Sequence, residues 1–251
     1  MKPQSIPATD ADCARRLLAI LDLTRLEDDT DDQAVRALCR RALAAPVRPA
    51  AICVYRHFLA AATEELGSAS SIKRATVANF PAGDPDPKLA ALECEQAIDA
   101  GADEVDVVLP WRALAAGDEA VCADLVAACR SACGDTPLKV ILESGMLANA
   151  HRIRRASEIA IDAGADFLKT STGKVAVNAT LEAARVMLEA IVASGRPVGI
   201  KISGGVRTLN DARPYLELTE QLLGRDAIAP ARFRIGASGL LDDLLGHLKV
   251  E

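Results

Sequence analysis

Aromatic residues make up only 3% of this 251-residue sequence, with one tryptophan, two tyrosines and four phenylalanines. So few large rings, set beside abundant alanine, exclude a core built on aromatic stacking and suggest helices packed closely through small side chains. Histidine is equally scarce, and the three, at 57, 151 and 247, lie far apart and beside no cysteine motif. The seven cysteines (13, 39, 53, 94, 122, 129 and 133) are an odd count, and no two form a C-x-x-C pair. That argues against a zinc site, a redox dithiol and a disulfide framework, and favours reduced thiols and a cytoplasmic location. Cys129 and Cys133, four apart on an expected helix, have a spacing that suits packing better than bridging.

Long apolar runs are missing too. The first, LLAILDL, is broken by Asp22, and nowhere do 18 apolar residues follow one another. The opening MKPQSIPATDADCARR offers no apolar signal core, so neither a membrane span nor a secretory leader is expected. Nor is there a surplus of positive charge: 29 Lys and Arg stand against 35 Asp and Glu, a net of −6, and the basic residues are scattered. No nucleic-acid partner is expected from that balance. A small phosphorylated ligand remains compatible with it, because such a ligand needs one local site and not a basic surface.

What the chain does have is alternation. Half of its residues are apolar and a quarter charged, enough to bury a large core. Strand-like runs fall at 19–23, 50–55, 71–80, 104–110, 138–144, 166–171, 198–204 and 232–238. Segments of helical spacing separate them, such as PKLAALECEQAIDAGA and TLEAARVMLEAIVASG, and glycines at 101, 164 and 195 stand where left-handed helix caps belong. AIDAGADEVDVV (97–108) and AIDAGADFLKTS (160–171) repeat one helix–cap–strand phrase. Eight strands alternating with helices predict an α/β fold, a single (β/α)8 TIM barrel over 1–251, with a short helix before the first strand. The competing fold is an open doubly wound sheet, but no G-x-G-x-x-G follows the first strand. No linker divides the chain into domains.

A barrel of this kind carries its active site at the C-terminal ends of its strands. The polar residues expected there are Asp22, Asp106, Lys139, Lys169, Lys201, Gly204, Gly205, Gly236 and Ser238. Three lysines within or at the end of apolar strands would meet near the barrel axis if they point inward. An amine is a nucleophile only when neutral, and its ordinary pKa of about 10.4 keeps it protonated. Burial and a second cation both favour the neutral form, which is how imine-forming lysines are activated. A lone strand lysine reads more simply as an edge residue whose ammonium reaches water; three in successive strands fit that reading poorly. Asp106, in EVDVV, shares a face with Val108 and can project inward, either as a proton shuttle or as the partner of a lysine in a buried salt bridge. Asp22, expected to end the first strand, carries the same ambiguity, since Asp before a turn can simply cap it. The loops SGGVRT and GASGLLDDLLGHL follow the seventh and eighth strands, where this architecture often holds a phosphate. STGK (171–174) could add Gly173 and the charge of Lys174; glycines that merely make tight turns are the plainer reading.

These residues resemble a known family. LDLT, AAICVY, TVANFPAG, GADEVDVV, DFLKTSTGK, GIKISGGVRT and GASGLL are together similar, in order from about residue 17 to about residue 246, to 2-deoxyribose-5-phosphate aldolases. The resemblance implies a class I, Schiff-base enzyme that reversibly cleaves 2-deoxy-D-ribose 5-phosphate to D-glyceraldehyde 3-phosphate and acetaldehyde, with no metal or organic cofactor. It implies that Lys169 forms the Schiff base, that Lys201 is the cation lowering its pKa, and that Asp106 assists proton transfer. Asp22, Lys139 and Thr170 fall at supporting positions, and Gly173, Lys174, Gly204, Gly205, Gly236 and Ser238 at the phosphate loops. Family members are often dimers or larger, so a homo-oligomer is compatible. Two departures stand out. Gly239 replaces a serine of the phosphate loop, and the ending HLKVE lacks the tyrosine tail of some members, the only tyrosines being 55 and 215. A different lysine-imine enzyme and a non-catalytic phosphosugar-binding barrel are the alternatives.

Overall fold

The strand-like runs are short, rich in β-branched residues and apolar on both faces, the pattern of a parallel sheet covered on both sides. In the computed structural model, which describes residues 9–248, they form eight parallel strands. These are β1 (Leu21–Arg25), β2 (Ala51–Val54), β3 (Lys73–Ala78), β4 (Glu104–Val108), β5 (Leu138–Ile141), β6 (Phe167–Lys169), β7 (Gly199–Ser203) and β8 (Phe233–Ala237). They pair in chain order, and β8 closes on β1 in the register Leu21–Ile235, Asp22–Gly236 and Leu23–Ala237. The chain is therefore a closed (β/α)8 barrel. The leader expectation for residues 1–8 and the tail comparison at 249–251 lie outside the described residues.

The helices are α1 (Asp10–Ala19), α2 (Asp32–Ala44), α3 (Leu59–Leu66), α4 (Pro87–Asp99), α5 (Trp111–Ala115), α6 (Glu119–Cys133), α7 (Ser144–Leu147), α8 (Ala150–Asp162), α9 (Leu181–Ser194), α10 (Leu209–Leu223) and α11 (Leu240–Leu248). Their starts are written locally. Side chains of Asp31, Asp86, Asp118, Asn149, Thr180 and Thr208 each accept a first-turn N–H, meeting donors that have no partner inside the helix. Their ends are local too. Gly101, Gly164 and Gly195, with φ of 90°, 100° and 65°, turn the chain out of α4, α8 and α9 toward the next strand. Small side chains set the helix spacing: Ala90, Cys94 and Ala97 of α4 and Cys122, Cys129 and Cys133 of α6 are all buried, and α4 packs against α6. All seven cysteines are free and buried. Among the described residues, no helix is long and apolar enough to cross a membrane.

Strand limits are tighter than the sequence pattern. β3 stops at Ala78 because Asn79 turns left-handed, with φ 52°. One position differs in kind: Asp22 does not end the first strand. It is the second residue of β1, and Leu23 to Arg25 continue the pairing with Ile52 to Val54. Its carboxylate consequently lies inside the barrel, below the mouth.

The floor of the barrel explains one glycine. A Cβ at Gly199 would lie 2.4 Å from the Phe167 ring and 2.8 Å from Arg232 O. Gly199→Ala should therefore cost about 1–3 kcal/mol through overpacking. A Cβ at Gly246, within α11, meets nothing within 4 Å, and Gly246→Ala should stabilise by up to about 1 kcal/mol. Denaturant midpoints at unchanged slope check both.

Candidate active site

Alternation along the strands sends a set of ionisable side chains to the barrel axis. Asp106 of β4 is their hub. Its Oδ1 accepts from Lys139 Nζ of β5 at 2.8 Å, and its Oδ2 accepts from both Lys169 Nζ of β6 and Lys201 Nζ of β7 at 2.8 Å. Lys201 Nζ also lies 2.6 Å from Asp22 Oδ2, off the hydrogen-bond line, and Lys139 Nζ lies 2.7 Å from Glu104 Oε2. Arg234 of β8 closes the network, donating to Asp22 Oδ1 at 2.6 Å and to Glu104 Oε1 at 2.7 Å. Register makes this convergence possible, since Asp106 pairs with Lys139, Lys169 with Lys201, and Lys201 with Arg234. None of the seven side chains belongs to a residue more than 4% exposed.

Four cations and three carboxylates share this buried space, leaving one positive charge in excess. Buried groups shed such an excess by giving up a proton. Of the three lysines, Lys169 holds its proton least firmly. Burial pushes its pKa down, Asp106 opposes that, Lys201 adds to it, and the net is below the ordinary lysine value. Burial also works against Lys201 and Lys139. For Lys201, Asp106 and Asp22 outweigh it; for Lys139, Asp106 and Glu104 do; both lysines are held above the ordinary value. Asp106 resists the upward push of burial because Lys139, Lys169 and Lys201 hold its carboxyl well below the carboxylate range. For Asp22, burial is likewise outweighed by Lys201, Arg234 and Lys139.

Above the network opens a cavity of about 290 Å³ at the C-terminal ends of the strands. Of the three lysines, Lys169 is the one that lines it. Its rim is built from the ends of β7 and β8 and the loops after β6, β7 and β8: Thr172, Gly173 and Lys174, then Ser203, Gly204, Gly205 and Arg207, then Gly236, Ser238 and Gly239, the last two leading into the N-terminus of α11. Thr24 of β1, with Leu26 and Glu27 just after it, also lines the wall. Gly204 and Gly205 have φ of 83° and 85°, so the loop exposes backbone where an ordinary residue would be strained. Gly236 has a different reason: a Cβ there would lie 3.0 Å from Lys201 Cε, crowding the lysine stem. Leu26, Ala51, Cys53 and Ala75 form a separate apolar cluster within the fold, and burial raises the Cys53 thiol.

The residues expected from sequence thus fall into two layers. Lys169, Gly173, Lys174, Gly204, Gly205, Gly236 and Ser238 line the cavity. Asp106, Lys201, Asp22 and Lys139 lie buried, joined in the ion network that includes Lys169. Thr170 reaches neither layer. It is fully buried, and its Oγ1 donates to Ser203 O and accepts from Ser203 N, tying β6 to β7. Sequence reasoning missed Glu104, Arg234, Arg207 and Thr172. The signals for the first two were a charge opening the apolar β4 and an arginine inside the apolar β8. For Arg207 the signal was a base just past Gly204–Gly205.

Comparison with known proteins bears on the fold and the family. A Toxoplasma gondii protein provisionally assigned as a deoxyribose-phosphate aldolase has a crystal structure similar to this chain, with a TM-score of 0.89 at 28% identity, covering 96% of this chain and 98% of that one. A Coccidioides immitis protein of the same provisional assignment gives a TM-score of 0.80 at 26% identity, covering 91% and 85%. The deoxyribose phosphate aldolase of Aeropyrum pernix, described as a unique tetramer, gives 0.71 at 24% identity over 96% and 92%, a likeness that bears on the fold alone. The family described as DeoC/LacD family aldolase matches residues 16–241, a span that takes in all eight strands and the whole ion network. On that match, this chain belongs to the DeoC/LacD aldolase family.

Proposed function

We propose that this aldolase reversibly cleaves 2-deoxy-D-ribose 5-phosphate to D-glyceraldehyde 3-phosphate and acetaldehyde, through a Schiff base on Lys169, in the breakdown of deoxynucleosides. The observation that carries the reading is the position of Lys169: on the cavity wall, beside Lys201, sharing Asp106 Oδ2 with it. The solved structures provisionally assigned to this reaction support the choice of substrate.

The chemistry follows from the charge arrangement. Neutral Lys169 attacks the C1 aldehyde, and the adduct takes up one proton and loses water to leave a protonated imine. That cation draws the electrons of the C2–C3 bond, giving an enamine on C1 and C2, while the C3 hydroxyl loses its proton and becomes the new aldehyde. Asp106 is a weak base while Lys139, Lys169 and Lys201 all bond to it; drawing Lys169 toward the substrate frees one site on Oδ2, which then takes that proton, directly or through a water. The proton taken from the C3 hydroxyl passes to the enamine at C2, and hydrolysis of the resulting protonated imine releases acetaldehyde and a proton and restores the amine. Lys201, held as a cation, keeps the free amine neutral between turnovers. At the far end of the substrate, the phosphate meets Lys174, Arg207, the glycine loops and the N-terminus of α11, a favourable setting for an anion. Binding there orients C1 toward Lys169 without changing during the reaction.

Two experiments test this. Borohydride added with acetaldehyde or with 2-deoxy-D-ribose 5-phosphate should place a stable mass adduct on the peptide containing Lys169, and Lys169→Ala should lose activity by several orders of magnitude. An enzyme that traps nothing, or a Lys169→Ala variant that still turns over, removes the imine mechanism and leaves a phosphosugar-binding barrel or other aldolase chemistry. Lys201→Leu should raise the Lys169 pKa, because Asp106 then attracts that ammonium with one competitor fewer. Less amine is then neutral at a given pH, so the acidic limb of the rate profile should move up by about 1 pH unit or more. An unmoved limb takes Lys201 out of that role.

A further inference from the structure

One buried carboxylate has no part in this chemistry. Glu143 stands two residues beyond β5, is fully buried, and holds a left-handed backbone with φ 53° and ψ 53°. A charged side chain bearing two such costs has to be held by its partners. Both of its oxygens face the loop that follows Lys169. Oε2 accepts from Thr172 Oγ1 at 2.6 Å and Oε1 from Thr172 N at 3.2 Å. Thr172 Oγ1 in turn accepts from Lys174 N at 3.0 Å, so a single carboxylate fixes the backbone on both sides of Gly173.

The same loop is wedged from two directions. A Cβ at Gly145, beside Glu143, would lie 2.0 Å from Val177 O, and a Cβ at Gly204 would lie 2.5 Å from Asn178 Oδ1. The loop after β6 is therefore packed between those after β5 and β7. Lys169 has separate supports. Its carbonyl accepts from Leu142 N, Thr170 N donates to Lys201 O, and its ammonium rests on Asp106. The hydrogen bonds of the Glu143 side chain go to the loop end, while the Lys169 ammonium is held by Asp106.

We propose that Glu143 is a positioning residue for the phosphate end of the site. Through Thr172 it holds residues 172–174 in the conformation that presents Gly173 and Lys174 to the substrate phosphate. The inference rests on the phosphorylated substrate proposed above. Its consequence is selectivity between sugars that differ only in the phosphate.

The test uses the full chain and the variants Glu143→Ala, Glu143→Gln, Thr172→Val and Thr172→Ser, assayed on 2-deoxy-D-ribose 5-phosphate and on 2-deoxy-D-ribose. Glu143→Ala should raise KM for the phosphorylated sugar about tenfold or more, the scale of one lost charge-assisted hydrogen bond, with a much smaller change in kcat. The ratio of kcat/KM for the two sugars should fall by a similar factor. Glu143→Gln, which keeps an acceptor oxygen, should fall less. Thr172→Val should follow Glu143→Ala, and Thr172→Ser should keep the wild-type ratio. Equal fractional losses on both sugars, or an unchanged KM, would overturn the proposal. Should Glu143→Ala fail to fold, the Thr172→Val and Thr172→Ser pair decides the matter by the same ratio. Borohydride trapping of acetaldehyde separates the two readings: no adduct in the wild type sinks the aldolase mechanism itself, whereas normal trapping with an unchanged sugar ratio sinks the role of Glu143 alone.

Discussion

The rest of the site depends on one carboxylate shared by three ammoniums. Asp106 is fully buried, and removing an ion of its size from water costs several kcal/mol even after the protein relaxes. Lys139, Lys169 and Lys201 offset that cost for Asp106, and Asp106 offsets theirs. The exchange is uneven. Lys139 and Lys201 each have a second carboxylate, Glu104 and Asp22, whereas Lys169 shares its only carboxylate oxygen with Lys201. The least compensated cation is the one that lines the cavity. The lowered pKa of Lys169 is thus a by-product of how three carboxylates are divided among four cations.

That division needs a rigid frame. A closed parallel barrel holds neighbouring strands in fixed register, and successive inward residues reach the axis at defined heights. Arg234 and Glu104 lie low in the barrel, Asp22 and Lys201 in the middle, and Lys169 at the top, facing the cavity. The apolar cluster of Leu26, Ala51, Cys53 and Ala75 adds no charge of its own to the interior. Above, the glycine loops supply backbone in place of side chains, so an anion can approach N–H groups closely. The loop after β6 belongs to both regions: it begins at Lys169 and ends packed under Gly204.

Much of the frame could be read locally. Caps such as Asp86 and Thr180, the glycines after α4 and α8, and the repeated AIDAGAD phrase place helices and strands with little help from distant residues. Strand ends were less legible, because Asn79 can turn left-handed or continue a strand on local evidence alone. The lysines stood out as charges in apolar runs. Glu104 and Arg234 did not, although they carry charges of equal size, because a residue opening a strand, or one of two arginines near a strand's start, reads naturally as a solvated end. Thr170 erred the other way. It sits next to Lys169, yet alternation turns its hydroxyl toward β7.

By itself the sequence determined the alternation of strand and helix, the turns between them, and which strands carry a cation in an apolar setting, since each follows from interactions within a few residues. Tertiary structure alone decided what those cations touch. Asp106 meets its three lysines across 33, 63 and 95 residues of chain, and Arg234 meets Asp22 across 212. Whether an amine is protonated depends on burial and on neighbours at such separations, and neither exists until β8 has closed on β1.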